Sequence, residues 1–110
     1  MNIEMRELKH VSVAKVSGRV DSSTAPELER SLQSLLDSGR SQIVLDLQET
    51  DYMSSAGLRV LVATHKAAKK SGGGLCLTQP SARVSEVLDL AGLTPVFAVY
   101  PDVVDAVGSF

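Results

Sequence analysis

The sequence predicts a single α/β domain: a mixed, mostly parallel sheet of four to five strands with about four helices. Three observations carry that expectation. Ile43-Val44-Leu45-Asp46-Leu47 is a short, nearly unbroken run of leucine and β-branched residues, as a strand buried on both faces reads. Segments with apolar residues at helical spacing alternate with runs of this kind, the pattern of strands joined by helical crossovers. At 110 residues, 44% hydrophobic and 22% charged, the chain can build one core without disulfide or metal.

The elements follow in order β-β-α-β-α-β-α-β-α. Residues 3–8 and 11–17 are strand-like and separated only by Lys9-His10, which predicts an antiparallel hairpin at one edge of the sheet. Val11 and Val13 share one face of the second strand, Ala14 and Val16 the other. Gly18 is expected to end that strand, and Asp21-Ser22-Ser23-Thr24 to form a polar turn. Thr24-Ala25-Pro26-Glu27 matches a capping box with proline in the first turn, and Leu28, Leu32, Leu35 and Leu36 line one helical face up to Ser38-Gly39. A strand over 42–47 leads into a second helix marked by Leu58, Leu61, Val62, His65 and Ala68 and stopped at Gly72-Gly73-Gly74. Strand 75–78 follows. Pro80-Ser81 then opens a helix with Val84, Val87, Leu88 and Ala91 inward and Gly92 as its stop. A strand over 96–99 and a helix over 102–107 complete the chain, with no internal repeat or linker.

Composition narrows the function. A formal charge of −2 and the lack of a long basic run give no electrostatic case for nucleic acid or an anionic membrane; Lys69-Lys70 is a cationic last helical turn, favourable against the helix dipole. The single Cys76 rules out an internal disulfide or a cysteine-rich metal site, and its setting in Leu75-Cys76-Leu77 predicts a buried thiol. No stretch reaches the roughly 18 apolar residues of a membrane span, and Met1-Asn2-Ile3-Glu4 does not open a secretory signal, so a cytosolic protein is expected.

Enzymatic chemistry has little support. His10 lies in the hairpin turn and His65 on a helix, four residues past Leu61, and neither belongs to a cluster with zinc spacing. A hydrolase nucleophile elbow needs glycine two residues either side of its serine; Gly57 follows Ser55 at that spacing, but Met53 stands where the earlier glycine belongs. The triple glycine runs from helix to strand, the reverse of a phosphate loop. Asp21, Asp46 and Asp51 lie in separate places and read as turn or strand acids rather than a magnesium site. No cofactor is expected.

The informative segment is Asp51-Tyr52-Met53-Ser54-Ser55-Ala56-Gly57-Leu58, which carries two serines into the start of a helix. There the backbone N–H groups lack intrahelical partners and the dipole is positive. A hydroxyl at this point either caps the helix or accepts a phosphate. The position is also the C-terminal lip of the sheet, where open α/β sheets present ligands and partners. Tyr52 and Met53 offer apolar contact area beside it, and Gly57 leaves room for a partner backbone.

These residues resemble the anti-sigma factor antagonists, whose fold is the STAS domain. Ser17-Gly18-Arg19-Val20-Asp21-Ser22-Ser23-Thr24-Ala25 is similar to the family's strand-end glycine, hydrophobic-aspartate pair and helix-starting threonine. The run 43–47 is similar to its central strand, 51–61 to its phosphoacceptor loop and following helix, and Gly72-Gly73 and Asp89-Leu90-Ala91-Gly92-Leu93 to later parts of its pattern. The resemblance implies a non-enzymatic switch. The unmodified protein would bind an anti-sigma factor that is itself a serine kinase, and so free a sigma factor. The kinase would then phosphorylate the loop serine, and a serine phosphatase would reverse the change. The acceptor falls on Ser55, two residues before the glycine-leucine pair. Many members carry aspartate before the acceptor and serine or threonine after it; Ser54 and Ala56 stand there in this chain, which makes Ser54 a competing acceptor. The partner-binding surface implied comprises Asp21, Ser22, Ser23, Thr24, Tyr52, Met53, Ser54 and Gly57. The alternative is a nucleotide-binding, small-molecule-binding or scaffold module of the same fold.

Overall fold

The computed structural model describes all 110 residues. The chain runs β1 (Asn2–Leu8), β2 (Val11–Val20), α1 (Ala25–Asp37), β3 (Gln42–Asp46), β4 (Thr50–Met53), α2 (Ser55–Lys70), β5 (Gly74–Thr78), α3 (Ala82–Leu90), β6 (Val99–Tyr100) and α4 (Val103–Gly108). The strands lie in the order β1-β2-β3-β5-β6, with β4 paired to β2. Only β1 is antiparallel to its neighbour, and β2-β3, β3-β5 and β5-β6 are parallel. The mixed, mostly parallel sheet and its four helices are therefore as expected.

The sheet has six strands, one more than the upper expectation. The added strand is β4, made from the segment read as a loop between strand and helix. It forms because β2 does not stop at Gly18. That glycine takes φ +90°, and the β2-β4 register shifts between Gly18 and Arg19, so the strand bends and continues to Val20. The final strand also lies further on, at Val99–Tyr100. The Val96 N–H bonds to the Leu93 carbonyl in a turn, and Phe97 drops into the core. Ala91, expected inward, is the exposed C-cap of α3.

Alternation along β2 and β3 divides the interior. Ala14, Val16, Ile43, Leu45, Leu75 and Leu77 face Leu28 and Leu32 of α1, Leu58 and Leu61 of α2, and Val84 and Leu88 of α3. Val11, Val13, Val44 and Cys76 face α4 through Ala106. Each fully buried leucine contributes roughly 1.5–3 kcal/mol of burial, so the first and larger cluster holds the inner face of α2 against the sheet through Leu58 and Leu61. Burial pushes the Cys76 thiol up to about 11, as for an inert core residue.

Candidate functional site

The site is assembled where β2 and β4 end side by side. β4 pairs in parallel with the tip of β2, matching Gly18 to Thr50, Arg19 to Tyr52 and Val20 to Met53. The buried Thr50 hydroxyl donates to the Val16 carbonyl at 2.7 Å, and the Gly18 N–H to the Glu49 carbonyl at 2.9 Å. From the other side, the Ser81 hydroxyl at the start of α3 donates to the Thr50 carbonyl at 2.9 Å. The pairing ends with the Ser54 N–H donating to the Val20 carbonyl at 2.8 Å. The serine loop is thus held by its backbone before the helix starts.

Ser54 is the N-cap of α2, with extended backbone (φ −87°, ψ 173°) and a long bond, 3.5 Å, from the Gly57 N–H to its hydroxyl. Ser55 is the first helical residue and is exposed. The first turn of α2 carries no acidic side chain, and the exposed Arg59 stands four residues after Ser55, on the same helical face.

The expectation of open contact area does not hold for Met53 or Gly57. Met53 is fully buried and supports the loop from beneath, while Tyr52 is half-buried. Gly57 is also buried, and a Cβ there would lie 2.8 Å from Val20 Cγ1 and 2.9 Å from Met53 Cγ. Its missing side chain seats α2 against β2 and β4, leaving no space for a partner backbone.

Asp21 follows β2 and organises the turn into α1. Its Oδ1 accepts from the Ser23 hydroxyl at 2.7 Å, the Ser23 N–H at 3.0 Å and the Thr24 N–H at 3.2 Å, while Arg19 Nε reaches Oδ2 at 3.2 Å. These bonds, led by the Ser23 hydroxyl, lower its pKa to about 2. The capping box expected from Thr24 to Glu27 does not form. Thr24 Oγ1 turns back, accepting the Asp21 N–H at 2.9 Å and donating to the Arg19 carbonyl at 3.0 Å. The Asp21 carboxylate takes the Thr24 N–H, the group Glu27 would have accepted in the box, while the Glu27 N–H bonds to the Thr24 carbonyl at 3.0 Å.

Two grooves flank α2 and meet at Arg59. One, about 450 Å³, is lined by Ser55, Leu58, Arg59, Val62, Lys66 and Leu93. The other, about 370 Å³, runs between α1 and α2 past Ser22, Pro26, Glu29, Ala56 and Arg59. Ser22, which lines this second groove, is exposed, as is its neighbour Ser23. The structure therefore brings the Asp21–Thr24 turn and the Ser54-Ser55 loop to one surface.

Sequence reasoning missed Arg19, Thr50, Ser81 and Arg59. Only Arg59 carried a legible signal, its spacing of four from Ser55; the other three act through contacts between elements distant in sequence. The remaining candidates lie apart. His65 Nδ1 accepts the Leu75 N–H at 3.0 Å and its ring packs on Phe97, with burial the main cause that lowers its pKa. The buried Asp46 uses Oδ1 to accept the Gln48 N–H, and no group of three or more histidine, cysteine or acidic side chains could hold a metal ion. No helix is long and apolar enough to cross a membrane.

The STAS domain family model matches residues 2–106. The Bordetella bronchiseptica protein BtrV, provisionally named an anti-sigma factor antagonist, is 35% identical over 99 residues, which span 90% of this chain and 85% of that protein. The anti-sigma-B factor antagonist of Bacillus subtilis is 30% identical over 99 residues, spanning 90% of each chain. The crystal structure of an anti-sigma factor antagonist from Mycobacterium paratuberculosis superimposes with a TM-score of 0.88 at 29% identity, covering 98% of this chain and 92% of that one.

Proposed function

The chain belongs to the STAS-domain family, and on that premise we propose that it is an anti-sigma factor antagonist switched by phosphorylation of Ser55. The unphosphorylated form binds an anti-sigma factor that is also a serine kinase, which frees the sigma factor. Transfer of a phosphate to Ser55 ends that binding, and a serine phosphatase restores it. The antagonist role draws on the names of its relatives.

One observation carries the choice of serine. Ser54 spends its hydroxyl on the helix cap, whereas Ser55 is exposed at the first helical position. An acceptor hydroxyl has to reach a phosphate bound in another protein, so the exposed serine fits the task. The chain supplies no catalytic group, since positioning and charge stabilisation in phosphoryl transfer belong to the kinase.

The electrostatics favour a modification that preserves the fold. A phosphoserine adds about −1.5 to −2 charges, and at an exposed helix N-terminus negative charge is stabilised by about 0.3–1 kcal/mol. Arg59, one turn on, is placed to pair with it. The loss of binding then comes from the interface, where a hydrated dianion costs space and desolvation against the docked kinase.

The test is phosphate incorporation from ATP by the anti-sigma factor kinase of the same cells. Wild type and Ser54→Ala should be labelled, and Ser55→Ala should not be labelled yet should still bind the kinase. Labelling that persists in Ser55→Ala and vanishes in Ser54→Ala moves the acceptor to Ser54. No labelling of any variant, together with a co-purified nucleotide, replaces the switch with the nucleotide-binding alternative.

A further inference from the structure

The outer edge of β1 is a seven-residue strand, Asn2–Leu8, paired with β2 on its inner side only. Residues 4–8 are all exposed, including Met5 at 41% and Leu8 at 39%. Such an edge offers a row of unpaired N–H and carbonyl groups to another strand, and charged side chains usually guard it. We propose that this edge is a self-association surface, on which two copies of the chain pair antiparallel about Met5 to continue one sheet through both.

The charges on β1 decide the partner and the register. Glu7 is engaged within the chain by Arg40, whose Nε lies 3.5 Å from its carboxylate. Glu4 and Arg6 remain, two residues apart and on one face of the strand. With Met5 opposite Met5 of a second copy, each Glu4 lies opposite the other copy's Arg6, on the same face of the shared sheet. Within the chain Glu4 already stands opposite Lys15. The joined sheet therefore reads cation, anion, cation across the junction, and the two-fold axis repeats it in reverse. Sliding two residues one way sets Glu4 against Glu4, and sliding the other way sets Arg6 against Arg6, both destabilising pairs. A one-residue slip turns the two copies' matching faces to opposite sides of the joint sheet. Among registers within β1 that keep the two copies' matching faces on one side, only the Met5-centred one sets opposite charges against each other, and it also covers the exposed Met5 side chains. The charges here select a copy of the same strand instead of merely repelling strands in general.

Sedimentation equilibrium of the full chain, from micromolar to millimolar concentration, tests the proposal. Wild type should show a reversible monomer–dimer equilibrium. Arg6→Glu and Glu4→Arg should each weaken it at least tenfold, because each sets like charges across the axis. An equimolar mixture of the two variants should recover the dimer, since the two carboxylates of one copy then meet the two cations of the other. The E4R/R6E double variant should dimerise on its own. This recovery separates charge matching from misfolding of a single variant. A wild type that stays monomeric throughout, a dimer indifferent to Arg6→Glu, or a mixture that fails to recover would overturn the proposal.

Discussion

The Arg19 guanidinium lies over the Tyr52 ring, its Cζ 4.3 Å from the ring centroid, while its Nε reaches Asp21 at 3.2 Å. One side chain from the tip of β2 thereby couples the turn before α1 to the strand before the serines. The two halves of the proposed docking surface are joined by this contact and by the Ser54–Val20 backbone bond.

Arg19→Ala should therefore affect binding more than stability. The Arg19 side chain is 63% exposed, and a cation–π contact at such a site contributes about 0.5–1 kcal/mol. Calorimetry against the anti-sigma factor kinase should show affinity reduced several-fold, with unfolding free energy lower by about 1 kcal/mol or less. Unchanged affinity would show that the Asp21 turn and the Tyr52 strand act independently in docking.

Gly57→Ala is predicted to behave in the opposite way. The added methyl would press on Val20 and Met53, at 2.8 and 2.9 Å, and overpacking of a core typically costs about 1–3 kcal/mol. Denaturant unfolding should show that loss, while affinity per folded molecule stays near wild type. A stable variant that no longer binds would return Gly57 to the partner surface.

Much of this was legible in the sequence because it rests on local pattern. The run 43–47, the leucine face of α1 and the Ser54–Gly57 helix start each state their structure within a few residues. β4 was not legible, because Thr50–Met53 is too short to show a period and becomes a strand only through the bent end of β2. The same bend hid the burial of Met53 and the reason for Gly57. At Thr24 the local pattern misled: the capping-box spacing was present, but the Asp21 carboxylate takes the Thr24 N–H and the Thr24 hydroxyl turns back to the Asp21 N–H and the Arg19 carbonyl. The side of β2 carrying the larger core was likewise settled only by the placement of three helices on the Ala14 and Val16 face.

Asp21 gives a pH signature. Its carboxyl falls from an ordinary 3.8 to about 2, so the folded state favours the ionised form. Its contribution to stability is complete above about pH 4 and is lost as pH falls toward 2, where the folded carboxylate protonates. The Ser23 hydroxyl is the largest cause of the shift. Ser23→Ala should move the carboxyl-carbon NMR titration of Asp21 upward, toward its ordinary value. A midpoint that stays near 2 in that variant would assign the shift to the backbone N–H groups and Arg19 instead.

Ser55→Asp separates an interface effect from a folding effect. The substitution puts one negative charge on the first residue of a 16-residue helix whose first turn has no acid, where the dipole favours it by about 0.3–1 kcal/mol. The melting temperature should therefore hold or rise slightly, while affinity for the kinase falls at least tenfold, about 1.4 kcal/mol. Ser54→Ala should show the reverse pattern. Loss of the cap costs about 0.5–2 kcal/mol of stability, toward the lower end because the bond to Gly57 is long at 3.5 Å. Its affinity per folded molecule should remain within a few-fold of wild type. Aspartate carries only half the charge of a phosphate dianion, so enzymatically prepared phosphoserine protein should lose more affinity than the aspartate variant. If Ser55→Asp bound the kinase normally and the phosphoserine form did too, modification at this position could not be the signal that ends binding.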